Sequence, residues 1–271
     1  MQKETRFIKM HACGNDFVII EEYLQLNQSE ILKITDRKLG IGCDQLLIVK
    51  SFDKKESFVD FKIYNNDGSK AETCINGTLC LAWHLMQKHQ IASIKLRSFK
   101  EVLDCNMAAD KTVLIKMPSH SLEWEKIPLK NQQDTSNIKI DGIKETAFAI
   151  NLGNPHVIFF ANSDTKFEKL ESFACKVKKS HIFKTDVNVS VCFVKSKNTI
   201  AVRTWERGVG QTLCCGSAAI CTYIAAKQKA VCDLDLSINF LGGSVKVLKQ
   251  GSCTYFSNNV NLVFVGNYCN F

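Results

Sequence analysis

Two stretches of this sequence share one layout. YNNDGSKAETCINGTLC, from Tyr64 to Cys80, aligns without a gap on WERGVGQTLCCGSAAIC, from Trp205 to Cys221, at an offset of 141 residues. Asn65 lies over Glu206, Gly68 falls one place from Gly208, Cys74 lies over Cys215 and Cys80 over Cys221. Each stretch reads as a strand, a Gly-containing loop, a Cys followed by small or polar residues, then a helix. A second pair agrees: CGNDFVII (Cys13 to Ile20) resembles LGNPHVIF (Leu152 to Phe159). A third, GCDQLLIV (Gly42 to Val49) and TDVNVSVCFV (Thr185 to Val194), places an amide side chain at the start of each strand. A period near 140 is far longer than a solenoid unit, so it implies two homologous halves rather than a stacked array.

The expected division is 1–117 for the first half, joined by the last strand at about 262–271, and 118–261 for the second. The polar stretch from Pro118 to Glu145 holds two of the three prolines and reads as the crossover. Short runs rich in Val, Ile and Phe predict strands at FVDFKIYN, TVLIKM, AFAINL, HVIFFA, VSVCFVK, TIAVRTW, SVKVL and VNLVFVG. Helices are expected over Asn76 to Gln90 and Gly216 to Ala230. Both are apolar almost all round in their first three turns, the mark of a helix buried on every side. The fold class that follows is α+β: two pseudo-symmetric domains, each a curled mixed β-sheet wrapped around a central buried helix.

Composition narrows the partners. No apolar run reaches the roughly 18 residues needed to span a bilayer. The N-terminus does not resemble a secretory signal, so a cytoplasmic location is expected. The net charge of +8 is spread over scattered lysines rather than gathered into a basic stripe with aromatic interleaving, which argues against a nucleic-acid partner. Thirteen cysteines occur without a C-x-x-C pair, an H-E-x-x-H or a Cys/His cluster at zinc spacing. Most therefore read as small buried hydrophobes.

Cys74 and Cys215 stand apart, because each directly precedes a buried helix. A helix start offers unpaired N–H groups and a partial positive charge, which lower a thiol's pKa and hold a carboxylate. Inverting a carbon centre needs one group to remove a proton from one face and another to add a proton to the opposite face. A thiolate and a thiol, one from each half, suit that task, with the helix starts stabilising the charge that develops on the carboxylate. Cys80 and Cys221 also match each other but lie two turns into apolar helices, where a structural role is expected. Cys214 adjoins Cys215, and only the register of the repeat favours the latter.

The segments KMHACGNDFVII, GIGCDQLLIV, FKIYNNDGSKAETCINGTLC, NLGNPHVIFF, DVNVSVCFV and WERGVGQTLCCGSAAIC resemble the diaminopimelate epimerase family in order and spacing, from Lys9 to Cys221. The resemblance implies conversion of L,L-diaminopimelate to the meso form, in lysine and peptidoglycan-precursor synthesis. It implies an active site in the cleft between the two domains, a small-molecule amino-acid substrate, no cofactor, no metal and a homodimer. Cys74 and Cys215 match the family's catalytic pair. Asn15, Gln45, Asn65, Asn154, Asn188, Glu206 and Arg207 match residues lining its substrate pocket. Arg207 is suited to a bidentate grip on the distal carboxylate, and Glu206 to accepting from an ammonium. Asn76, Gly77, Gly216 and Ser217 would offer N–H groups to the reacting carboxylate. His156 and Asp67 lie beside these motifs.

Three positions depart from the family pattern. Ile75 follows Cys74 where Gly is usual; either its backbone has an ordinary φ or the anion site is altered, since a β-branched residue tolerates φ > 0 poorly. Ala218 replaces a Gly, and Gln211 stands where Glu is common. One rival reading is a proline or hydroxyproline racemase of the same fold, which would have no use for the distal polar groups. Another is a non-catalytic thiol-rich protein, in which neither cysteine would matter.

Overall fold

The computed structural model describes residues 4–99 and 101–269. The chain divides into two compact units, residues 1–116 with 257–271 and residues 117–256. In chain order the first carries β1 (Thr5–Ala12), β2 (Asn15–Ile20), α1 (Gln28–Thr35), β3 (Gln45–Asp53), β4 (Phe58–Asn65), β5 (Lys70–Ala71), α2 (Ile75–His89), β6 (Ser93–Arg97), β7 (Val102–Met107) and β8 (Val113–Lys116). The second carries β9 (Ala147–Asn151), β10 (Pro155–Ala161), a 3₁₀ turn over Asp164–Lys169, α3 (Leu170–Lys179), β11 (Asn188–Ser196), β12 (Thr199–Glu206), β13 (Gly210–Thr212), α4 (Gly216–Gln228), β14 (Leu236–Asn239) and β15 (Ser244–Gln250). β16 (Cys253–Asn258) leads back to the first unit, which ends with β17 (Val260–Tyr268).

The duplication read from the sequence is a duplication of topology. In the first unit β1 is antiparallel to β2, β2 parallel to β3 across α1, β3 antiparallel to β4, β4 parallel to β6 across α2, and β6 antiparallel to β7. In the second, β9 to β10, β10 to β11 across α3, β11 to β12, β12 to β14 across α4, and β14 to β15 repeat those relations in the same order. Each parallel pair needs a crossover, and a helix supplies it every time. The mixed sheet expected for each half is what forms.

Burial on both faces explains why the central strands read as continuous apolar runs rather than alternating ones. On β2 and β3, Val18, Ile20, Leu46 and Ile48 join Ile31 and Ile34 of α1 in one core. Their neighbours Phe17 and Leu47 point the other way, to Gly77 in α2. α2 meets β1, β2, β3, β6, β7, β8 and β17, so the sheet curls around it. In the second unit Val157, Phe159, Val189 and Val191 pack with Phe173 and Val177 of α3. Cys192, on the other face, reaches Thr222 of α4 at 3.5 Å.

α1 and α3 were not expected from the sequence. α1 is only 8 residues long and opens with a capping box: Asn27 accepts from the Glu30 N–H at 3.1 Å, and Glu30 accepts from the Asn27 N–H at 2.7 Å. Its short apolar face gives too little periodicity to separate it from a loop. α2 and α4 begin within one residue of their expected starts and are buried through their first two turns.

Candidate active site

In the first unit a two-residue hairpin positions the candidate residues around Cys74. Ala12 pairs with Asn15, leaving Cys13 and Gly14 in the turn with φ of 50° and 81°. Two left-handed residues match the strand twist in such a turn. Gly adopts that conformation at no cost, whereas Cys13 carries strain on the order of 1 kcal/mol. The turn delivers Asn15 to the start of β2. Gln45, at the start of β3, faces Asn65 at the end of β4, and its Nε2 donates to Asn65 Oδ1 at 2.9 Å.

Cys74 is the N-cap of α2, in extended backbone, and its Sγ accepts the Gly77 N–H at 3.3 Å. Its carbonyl accepts the Thr78 N–H at 2.9 Å. Asn15 Oδ1 lies 4.0 Å from the same sulfur and accepts Asn76 Nδ2 at 3.5 Å. The half-buried sulfur thus faces an N–H on one side and a carbonyl oxygen on the other, so either protonation state finds a partner. Ile75 is the first residue of the helix and is absent from the positive-φ positions, so its backbone is ordinary.

Asn15 is held from behind by an ionic cluster. Its Nδ2 donates to Asp44 at 3.1 Å, and Arg37 bridges Asp16 and Asp44 at 2.6 and 2.7 Å. Lys9, almost buried, pairs with Asp16 and donates to the Gly42 carbonyl. Burial works against the Asp16 charge, but Arg37 and Lys9 outweigh it and hold the carboxyl well below its ordinary range.

The second unit repeats the plan around Cys215. Cys215 is the N-cap of α4, also in extended backbone, and its carbonyl accepts the Ala219 N–H at 3.1 Å. Cys214 lies one residue outside the helix. Asn154 Nδ2 donates to Ser217 Oγ at 3.4 Å, the counterpart of Asn15 with Asn76. Asn188 starts β11 as Gln45 starts β3, and its Oδ1 accepts the Arg207 N–H at 3.0 Å. Glu206 ends β12 as Asn65 ends β4, and accepts from Thr212 at 2.6 Å.

At the centre of this half stands His156, fully buried. Its Nε2 lies 3.0 Å from Ser217 Oγ, 3.1 Å from Asn154 Oδ1 and 3.3 Å from Asn188 Nδ2. Ser217 Oγ is in turn 3.3 Å from Cys215 Sγ. Burial, with the Arg207 charge added, pushes the His156 pKa down to about 3, so the ring is neutral at physiological pH. Arg207 is exposed and opens on a cavity of about 500 Å³ whose other cations are Lys130, Lys178 and Lys184.

One sequence expectation needs correction. The helix start was expected to lower both thiols' pKa values; for Cys215 the shift goes the other way. Burial pushes it well above its ordinary value and the Glu206 charge adds to that, against weaker help from Ser217 and the Ala218 N–H. Desolvating a thiolate outweighs one helix terminus. Asp67 is exposed in the loop after β4 and accepts from the Ser69 N–H and hydroxyl at 2.8 and 2.6 Å. Cys80 and Cys221 are fully buried, and their thiols are pushed far up. Of the remaining residues singled out in the sequence, Asn15, Asn76 and Gly77 bond around Cys74, while Gln45 and Asn65 bond each other at the ends of β3 and β4. Ser217, Asn154 and Asn188 link through His156 toward Cys215, Gly216 opens the helix that Cys215 caps, Glu206 acts on Cys215 through its charge, and Arg207 joins through its backbone N–H. The motifs gave no sign of Asn258 or of a role for Cys13.

Comparison with known proteins adds a family. The model of the diaminopimelate epimerase family matches residues 7–122 and 148–260. The chain is 34% identical to the diaminopimelate epimerase of Pelagibacter ubique (strain HTCC1062) over 253 residues, covering 90% of this chain and 91% of that one. It is 34% identical to that of Caldanaerobacter subterraneus subsp. tengcongensis over 274 residues, covering 96% and 98%. Among solved structures, a hydroxyproline epimerase from Agrobacterium vitis superposes with a TM-score of 0.70 at 8% identity, covering 98% of this chain and 93% of that one. A phenazine biosynthesis protein of the PhzF family from Bacillus anthracis gives 0.68 at 14% identity, covering 98% and 99%. These two likenesses speak to the fold.

Proposed function

This chain belongs to the diaminopimelate epimerase family, a family of isomerases, and on that premise we propose that it converts L,L-diaminopimelate to meso-diaminopimelate with Cys74 and Cys215 as its two bases. The observation that carries the reading is the equivalence of the two cysteines. Each is the N-cap of the central helix in its half, and each has an Asn, from the hairpin that opens that half, bonded to the second residue of the helix.

In the forward direction the Cys74 thiolate takes the proton from Cα, breaking the C–H bond. The electron pair moves into the α-carboxylate, and the Cys215 thiol delivers its proton to the opposite face. Cys74 ends as thiol and Cys215 as thiolate; the reverse reaction exchanges the roles. The assignment of resting states draws on the Gly77 N–H directed at Cys74 Sγ and on the burial that favours the neutral form of Cys215. N–H groups of the first turns, from Asn76 and Gly77 and from Gly216 and Ser217, are suited to the carboxylate as its charge grows. Arg207 is suited to the distal carboxylate, with Gln45, Asn65, Asn154, Asn188 and Glu206 bonding the remaining polar groups of the substrate.

The product serves lysine and peptidoglycan-precursor synthesis, and a cytoplasmic enzyme is the fitting reading. Among the described residues no helix is long and apolar enough to cross a membrane. A homodimer is supported by β17, where Leu262, Val263, Phe264 and Val265 are each about half exposed, an apolar stretch suited to cover by a second copy. The test is chiral chromatography of L,L-diaminopimelate after incubation with the protein. Formation of the meso isomer, with no turnover of trans-4-hydroxy-L-proline, supports the reading; the opposite preference overturns it.

A further inference from the structure

Four buried or half-buried side chains form an ordered line in the first unit, and one of them lies far from every motif. Asn258, the last residue of β16, is 3% exposed. Its Oδ1 accepts from Cys13 Sγ at 3.0 Å, and its Nδ2 donates to Asn76 Oδ1 at 3.1 Å. Asn76, 2% exposed, then donates through Nδ2 to Asn15 Oδ1 at 3.5 Å, the oxygen that faces Cys74 Sγ. Direction is fixed at each step. A thiol donor at one end of Asn258 leaves only its NH₂ for Asn76, which leaves only the Asn76 NH₂ for Asn15.

The other half has a structural counterpart. Ser217 stands in α4 where Asn76 stands in α2, and a buried group from outside the helix, His156, holds it at 3.0 Å. Phe17 occupies the β2 position that His156 occupies in β10, opposite Gln45 and Asn188 respectively, and Phe17 has no polar atom to offer. The first unit therefore draws its latch from β16 instead.

We propose that Asn258, oriented by Cys13, is a positioning residue that fixes the Asn76 amide at the start of α2 and, through Asn15, the acceptor facing Cys74. The proposal rests on the functional reading for its link to turnover. Replacing Asn258 by Leu keeps the bulk and removes the donor, leaving Asn76 Oδ1 buried without its partner.

The experiment compares the full-length protein with Asn258→Leu, Cys13→Ser and Cys13→Ala. With the folded fraction of each confirmed by circular dichroism at the assay temperature, Asn258→Leu is expected to lose at least about tenfold in kcat while KM for L,L-diaminopimelate changes less, because the misplaced amide matters most when the carboxylate charge is greatest. Cys13→Ser, which keeps a donor, should retain several-fold more of the rate than Cys13→Ala. In a Cys215→Ser background, at a pH low enough that Cys74 is largely protonated, mass spectrometry should find it alkylated by iodoacetamide at least about threefold faster in Asn258→Leu, since the Asn15 carbonyl that favours the S–H form is no longer held there. A folded Asn258→Leu with kcat within about twofold of the parent and unchanged Cys74 alkylation would overturn the proposal. Should Asn258→Leu not fold, equal losses in Cys13→Ser and Cys13→Ala would overturn it, and the expected difference would support it. If the parent protein does not epimerise L,L-diaminopimelate, the functional reading fails, and the alkylation rates alone decide for or against the latch.

Discussion

Ser217 Oγ stands between His156 Nε2 at 3.0 Å and Cys215 Sγ at 3.3 Å, so one hydroxyl joins a buried imidazole to a buried thiol. Ser217→Ala removes that junction and leaves the buried His156 Nε2 and Cys215 Sγ without this shared partner. A loss of about ten- to a hundredfold in kcat/KM is expected, together with about 1–3 kcal/mol of stability. Steady-state kinetics and urea unfolding measure both, and a variant that matched the parent in each would show the hydroxyl to be idle.

His156 should stay neutral across the working pH range. Its folded pKa, near 3, lies below the ordinary histidine value of 6.5, so the unfolded chain binds more protons between these two values. Stability is therefore expected to fall as pH drops from about 6.5 toward about 3, with no contribution from this residue above that window. Nitrogen-15 NMR of the imidazole should show a neutral ring down to pH 5, about the lower edge of the physiological range. A ring that titrates near pH 6.5, the value of an unperturbed histidine, would contradict the burial argument.

Burial and then the Glu206 charge raise the Cys215 pKa. Glu206→Gln removes the charge and leaves the shape. At a fixed pH in a Cys74→Ser background, Cys215 should then react faster with iodoacetamide, because more of it is thiolate. A slower or unchanged rate would mean that Glu206 does not act on this sulfur.

A Cβ at Gly77 would lie 3.2 Å from both Leu47 and Phe17, closer than those side chains comfortably allow. Elsewhere in a helix, Gly→Ala stabilises by up to about 1 kcal/mol. Here Gly77→Ala is expected to destabilise by about 1–3 kcal/mol and to shift the N–H that reaches Cys74. A rise in melting temperature would show that the contact has room to spare.

The sequence carried much of this architecture because the repeat preserves what each half must do. Cys74 and Cys215 fall at equal offsets because both cap a helix that fills a curled sheet, and the apolar runs of β2 and β10 are long because both their faces are covered. Other features left no such trace. α1 and α3 are short helices on one face of the sheet, and their few apolar positions read equally well as loop. Asn258 meets Asn76 through tertiary folding alone, with 181 residues between them and no spacing rule to connect them. The upward shift at Cys215 was missed because a motif shows that a thiol starts a helix, but not how completely that helix start is buried. His156 was visible as a motif neighbour, yet its importance lies in Ser217, Asn154 and Asn188 converging on one nitrogen.

The central claim is that two sulfur groups exchange protons with one α-carbon, and isotope incorporation tests it most directly. In D₂O, meso-diaminopimelate formed from L,L-diaminopimelate should carry deuterium at the inverted Cα, and neither Cys74→Ala nor Cys215→Ala, each folded, should form it. Meso product without deuterium at that carbon, or undiminished epimerisation by either variant, would contradict the account.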